Sequence, residues 1–174
     1  YLEDLEGNGI ELYRDKPVTV WDIREDGRII GVTEELSAQD IYELGRNIEL
    51  FAIASGTRMG HVHLSVKNSR EASVFYQESL GLEDKFTIPH ASWIASGNYH
   101  HHLAVNEWGG KNLAPREQGM AGLAYYVVEV ENKEELLKVF AQSQGNKAIT
   151  HWLSSAEFSL TDKDGIVTRV RVES

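Results

Sequence analysis

Part of this chain is written twice. Val66-Lys67-Asn68 returns as Val130-Glu131-Asn132, and Gly81 returns as Gly145, each 64 residues on. The same plan surrounds both copies: an alternating strand, a capped helix stopped at glycine, then three short strands. In the first copy residues 60–66 alternate as a strand. Asn68 or Ser69 caps a helix over 70–80, whose apolar surface comes from Ala72, Val74, Phe75 and Leu80. Strands are expected over 84–88, 92–96 and 99–106. In the second copy the strand spans 122–130 and the helix 133–144, with Gly145 as its stop, and strands follow over 148–152, 157–161 and 166–172. The expected fold class is α+β: paired β-α-β-β-β units whose curved mixed sheets pack around a shared cavity.

A second, degenerate repeat joins the two ends. Asp4-Leu5-Glu6-Gly7-Asn8-Gly9-Ile10-Glu11-Leu12-Tyr13 matches Asp162-Lys163-Asp164-Gly165-Ile166-Val167-Thr168-Arg169-Val170-Arg171: a glycine turn, then an alternating strand over 10–13 in the first copy. The C-terminal copy closes a unit. The N-terminal copy has no unit before it and Tyr1 is no initiator, so residues 1–16 are expected to be the closing strand of a module whose remainder lies upstream. Residues 17–57 are expected to form a connector. In it Trp21, Ile23, Ile29 and Ile30 pack on a neighbour, and a short helix over 40–47 is capped by Ser37. Residues 58–174 make a complete module of two units, 58–119 and 120–174.

Composition narrows the function classes. A net charge of −10 argues against binding a phosphate backbone. No apolar run reaches the roughly 20 residues of a membrane span. The absence of cysteine excludes disulfides and thiolate metal sites, and fits a reducing, cytoplasmic setting. There is no phosphate-cradling glycine loop, no His-Glu-x-x-His and no nucleophile elbow. The oddity is seven histidines, three of them adjacent. A lone opening strand leaves sheet edges and apolar faces that a homodimer would cover.

Gly60-His61-Val62-His63-Leu64, Phe75-Tyr76, Leu80-Gly81-Leu82, Tyr99-His100-His101-His102 and the segment from Asp4 to Tyr13 together resemble the vicinal oxygen chelate superfamily. That superfamily holds glyoxalases, fosfomycin-resistance proteins and type I extradiol ring-cleaving dioxygenases. The likeness is nearest to the two-module, catechol 2,3-dioxygenase-like proteins of bacteria, which have four units. It implies a catechol or hydroquinone-like diol and dioxygen as small-molecule partners. It also implies Fe(II), or Mn(II), held by two histidines and a glutamate, an arrangement that leaves positions open for substrate. Carried onto this chain, the first histidine is His61. The fourth unit cannot supply the rest, because Tyr125 stands opposite His61 in the repeat and Arg169 stands in the glutamate position. A guanidinium repels a cation.

The N-terminal strand keeps what the fourth unit loses. Glu11 matches the family glutamate and Tyr1 the diolate-binding tyrosine, where the fourth unit has Ser159. The resemblance therefore implies a site built between the second and third units. His61 and Glu11 would be metal ligands, a second histidine would lie upstream, and the 174-residue chain would hold metal weakly or not at all. His101 matches the family's acid–base histidine. Strand alternation puts it on one face and His100 and His102 on the other. His63 shares the His61 side, and His63, Tyr99 and Trp93 are candidate substrate-binding residues; His90 and Trp108 are further candidates for the wall. His151 and Trp152 receive no role. A rival placement joins Glu11 to two upstream histidines and leaves His61 unused. Rival functions on the same fold are a glyoxalase-like isomerase or lyase using Ni(II) or Zn(II), and a metal-free binding or resistance protein.

Overall fold

The computed structural model describes residues 1–32, 34–46, 53–110, 113–114 and 119–173. The N-terminal part holds two small hairpins, β1 (Leu2–Glu3) with β2 (Gly9–Ile10) and β3 (Asp22–Ile23) with β4 (Ile29–Ile30), then helix α1 (Ala38–Gly45). The first unit follows as β5 (Val62–Ser65), α2 (Ser69–Leu80), β6 (Glu83–Ile88), β7 (Ala91–Ala95) and β8 (Leu103–Asn106). The second is β9 (Tyr126–Val130), α3 (Lys133–Gly145), β10 (Ile149–Ser154), β11 (Glu157–Thr161) and β12 (Val167–Val172).

The repeat is physical as well as textual. Asn68 and Asn132 each accept the amide of the residue three on, Glu71 and Glu135, at 3.0 Å, which satisfies a donor the first helical turn leaves open. Each unit forms a four-stranded sheet in which the first strand lies parallel to the last, in orders β5-β8-β7-β6 and β9-β12-β11-β10. Helix α2 is stopped by Gly81, left-handed at φ 71°, where glycine avoids a steric penalty. Its counterpart departs from the sequence expectation: Gly145 is still helical, Asn146 is the cap, and the left-handed turn falls on Lys147 at φ 61°.

The second repeat is kept down to its hydrogen bonds. Asp4 Oδ1 accepts the amides of Glu6 and Asn8 at 2.9 and 2.8 Å; Asp162 Oδ1 accepts those of Asp164 and Ile166 at 2.9 and 2.8 Å. Gly7 and Gly165 share positive φ values of 80° and 82°. Leu2 pairs with Ile10 as Leu160 pairs with Thr168. The strand after the first turn is shorter than expected, because Glu11 to Tyr13 run extended without a ladder partner among the described residues.

One core joins both units. Leu64, Phe75, Tyr76 and Ile94 from the first meet Leu136, Phe158, Leu160 and Val170 from the second, and each fully buried aliphatic or aromatic side chain stabilises by about 1.5–3 kcal/mol. The buried face of α2 is Ala72, Phe75, Tyr76, Ser79 and Leu80, spaced three and four apart. Val74 falls off this stripe and is exposed, so Tyr76 takes the place expected for it. The helices lie side by side: Ser143 Oγ donates to the Ser79 carbonyl (3.2 Å), and Asn146 Nδ2 donates to Ser79 Oγ (2.8 Å). The Tyr76 hydroxyl donates to Asp162 Oδ2 at 2.7 Å, tying α2 to the closing turn.

Several boundaries move inward from the sequence expectation. β5 starts at Val62, β9 at Tyr126 and, with consequences below, β8 at Leu103 rather than Tyr99. Ser37 occupies the cap position of α1 but makes no side-chain cap bond, and Asn47, the expected helix end, lies outside the described residues. Of the connector's apolar residues, Ile29 is buried and Ile23 is exposed. No helix among the described residues is long and apolar enough to cross a membrane.

Candidate metal and acid–base site

Alternation along β5 decides which side chains meet. Val62, Leu64 and Val66 turn to the helix side and the core, so His61 and His63 project from the opposite face. Their ring centroids are 5.0 Å apart. Cross-strand pairing extends this face: His63 lies opposite Ala104, Ala104 opposite Trp93, and Trp93 opposite Phe86. Trp93 thus shares the histidine side, as expected of a wall residue. Trp108 reaches the same area, its ring centroid 6.1 Å from that of His63. A cleft of about 220 Å³ opens beside His63, bordered by Leu113, Leu123 and Ile166. His90 is elsewhere, paired with Glu107 (3.3 Å) past the far end of β8.

The extended stretch after β2 lies across this face. Glu11 Oε2 is 2.9 Å from His61 Nε2, and the His61 side chain is only 7% exposed. The Tyr13 hydroxyl lies 3.1 Å from His61 Nδ1, with the two rings stacked at 5.0 Å. Asp15 Oδ2 accepts the Tyr99 hydroxyl and Asp15 Oδ1 meets His100 Nε2, both at 2.9 Å. Gly60 permits this approach, since a Cβ there would collide with the Tyr13 hydroxyl. Tyr1 is 91% exposed, and the negative charge of Glu11, then burial, then a hydrogen bond to Glu11 raise its pKa.

His101 stands against His61, with ring centroids 4.2 Å apart. Its Nδ1 is 2.7 Å from His100 Nδ1, and its Nε2 is buried with no hydrogen-bond partner among the described residues. Burial first, then the neighbouring His61, His100, His63 and His102, push its pKa down to about 2. Burial likewise lowers His63, against the pull of Glu11, and lowers His102. The expected face assignment fails for His100. Because β8 begins only at Leu103, residues 100–102 do not alternate, and His100 joins His101 on the site side. His102 does turn away, its Nδ1 accepting the Ser96 amide at 3.2 Å.

The fourth-unit equivalents behave as their chemistry requires. The Arg169 guanidinium sits 3.7 Å over the Tyr125 ring, a cation–π contact, and 3.6 Å from Glu157. Trp152 packs on Phe140 and Phe158, and His151 is exposed.

Sequence reasoning missed Tyr13, Asp15, His100 and Trp21, whose ring lies 5.2 Å from that of His100. A signal existed for two of them: Glu11, Tyr13 and Asp15 are spaced two apart, the period that sends side chains to one face of an extended segment. The donor set fits a divalent first-row ion. His61, His63 and His101 offer nitrogens all within 4.8 Å of one another, the Glu11 carboxylate touches His61, and His101 Nε2 is a buried nitrogen with no hydrogen-bond partner among the described residues.

Comparison with known proteins places the chain in a family. Residues 58–170 match the family model of the glyoxalase/bleomycin resistance protein/dioxygenase superfamily. A catechol-2,3-dioxygenase of Bacillus subtilis is 33% identical over 138 residues, covering 78% of this chain and 48% of that protein. The chain therefore spans about half the length of this curated relative. Among solved structures, a lactoylglutathione lyase from Agrobacterium tumefaciens superposes with a TM-score of 0.51 at 14% identity, covering 68% of this chain and 96% of that one. The fosfomycin resistance protein FosX of Listeria monocytogenes gives 0.51 at 13% identity, with 70% and 96% covered. At those identities the likeness is one of fold.

Proposed function

We propose, for a chain that belongs to the glyoxalase/bleomycin resistance protein/dioxygenase superfamily, that it serves a metal-dependent ring-cleaving dioxygenase of the extradiol type, acting on a catechol or hydroquinone-like diol. The observation that carries the reading is the 2.9 Å approach of Glu11 Oε2 to His61 Nε2, made by side chains 50 residues apart in the chain. In the fourth unit the corresponding positions hold a tyrosine and an arginine, so the carboxylate–imidazole pair is not a by-product of the fold. The relative named as a catechol-2,3-dioxygenase supports the reaction class.

His61 and Glu11 would hold the ion, Fe(II) by preference or Mn(II), and when bound it supplies Lewis acidity and open positions for diol and dioxygen. His101 accepts the diol proton. Burial and the neighbouring histidines keep it neutral before substrate binds, with a buried nitrogen turned to the site, and the negative charge of a diolate beside it would raise its basicity. Tyr1, beside Glu11, orients the diolate. Trp93 and His63 line the face along which the ring approaches, and Tyr99 holds the mouth through Asp15.

Anaerobic titration of the chain with ferrous ion, followed by oxygen uptake with catechol, tests this. Glu11→Gln and His61→Gln are each expected to weaken metal binding at least about tenfold, and undiminished affinity in both overturns the ligand assignment. A metal-loaded protein that consumes no oxygen with any catechol overturns the reaction class and favours the lyase reading. One observation supports a second ligand set: the three mutually close nitrogens of His61, His63 and His101. In that case His63→Gln loses the ion and Glu11→Gln keeps it.

A further inference from the structure

Hydrogen-bond direction can be followed outward from Asp15. Burial works to raise its pKa, but hydrogen bonds from His100 and Tyr99 outweigh that, and the net shift is downward. An ionised carboxylate only accepts. On one side Tyr99 gives its single hydroxyl proton to Asp15 Oδ2. The 3.0 Å contact between the Tyr99 and Tyr13 hydroxyls must then run from Tyr13 to Tyr99. With the Tyr13 proton also spent, His61 Nδ1 is the donor in its 3.1 Å contact with Tyr13. On the other side His100 Nε2 donates to Asp15 Oδ1, which leaves a neutral His100 with a bare Nδ1. The 2.7 Å contact therefore makes His101 Nδ1 the donor.

Both arms end at the same result. The proton of each terminal histidine sits on Nδ1, and Nε2 is left for other work. One detail agrees: His101 Nε2 is buried without a partner among the described residues. His61 Nε2 faces the Glu11 carboxylate at 2.9 Å, so with Nδ1 already donating to Tyr13 that contact takes a cation between the two or a second proton on the ring.

We propose that Asp15 is the positioning residue of this site: through Tyr99 and Tyr13 on one arm, and through His100 on the other, it holds the protons of His61 and His101 on Nδ1 and turns both Nε2 atoms to a common space. What those atoms then do rests on the proposed function; where their protons lie does not. A lone pair on Nε2 serves a metal donor and a base alike, so the arrangement suits either ligand set.

Long-range 1H–15N correlation spectra of the imidazoles in the metal-free chain read this directly, with His61 and His101 assigned by substitution. A protonated Nδ1 is expected on both in the unaltered protein, and a bare Nδ1 on either overturns the proposal whether or not any variant folds. Asp15→Ala should release both rings from this state, while Tyr99→Phe should release His61 and leave His101 unchanged. If both rings keep the original pattern in Asp15→Ala, Asp15 is not the anchor. Titration with manganous ion adds a second readout: Asp15→Ala is expected to bind about 10–100-fold more weakly. Should the rings show the expected protonation while Glu11→Gln and His61→Gln both keep full metal affinity, the ligand assignment fails and this proposal stands.

Discussion

Acidification should destabilise this protein well before its carboxylates titrate, and His101 is the main cause. Its pKa is pushed down to about 2 from an ordinary 6.5 by burial and by four neighbouring histidines. The folded chain thus refuses a proton that the unfolded chain accepts. For a group depressed in this way, the stability is whole above pH 6.5 and is lost progressively as pH falls through the window towards 2. The slope approaches about 1.4 kcal/mol per pH unit. Between about pH 7 and pH 5, integration gives a loss of about 2 kcal/mol from this residue alone, a large share of the 5–15 kcal/mol typical of a domain.

His63 and His102 are shifted in the same direction and add to the loss. Asp162, whose pKa burial raises, works against it near the acid end. The readout is therefore the difference between the unaltered chain and His101→Gln, taken by urea unfolding at several pH values in chelator-treated buffer. The variant should start less stable or equal at neutral pH and lose about 2 kcal/mol less on going to about pH 5. Equal slopes for both proteins would refute the claim that His101 is held neutral by its surroundings.

Gly60→Ala should displace Tyr13, because the added methyl meets its hydroxyl; loss of the Tyr13–His61 contact, seen as altered His61 ring shifts with little change in global stability, checks this. Tyr76→Phe removes the 2.7 Å bond to Asp162 inside the core and should cost about 1–3 kcal/mol in urea unfolding; a loss below about 0.5 kcal/mol contradicts a structural role for that bond. Arg169→Gln should cost no more than about 1 kcal/mol and leave metal affinity untouched, and a changed affinity would place Arg169 near the site after all.

The two β-α-β-β-β units were legible because their signals are local. Caps at Asn68 and Asn132, a glycine stop and alternating strands each depend on a few neighbouring residues, and the structure keeps them within a residue or two except at the starts of β8 and β9, which lie four residues later than expected. The approach of Glu11 to His61 depended on the family resemblance, since no local pattern says that residue 11 crosses residue 61. The rest of the hydrogen-bonded array was harder to read. Tyr13 and Asp15 carry a period of two, but nothing in their segment tells which surface receives that face. His100 was misplaced for a different reason: alternation holds only while a ladder holds the backbone flat, and the ladder of β8 begins three residues later, at Leu103.

The fourth unit acts as an internal control on this reading. Its closing turn has the same aspartate-capped geometry as the first, and Ser159 pairs with Arg169 in a register one would draw for Tyr1 and Glu11. The backbone therefore does not choose between carboxylate and guanidinium; the surroundings do. A guanidinium at Arg169 finds the face of Tyr125 and the carboxylate of Glu157, partners that stabilise a cation already covalently present. A carboxylate at Glu11 instead faces an imidazole nitrogen at 2.9 Å, a pair that a proton on the ring or a cation between the two would satisfy. The same turn-and-strand pattern thus serves both places, and only at Glu11 does it set a carboxylate against an imidazole.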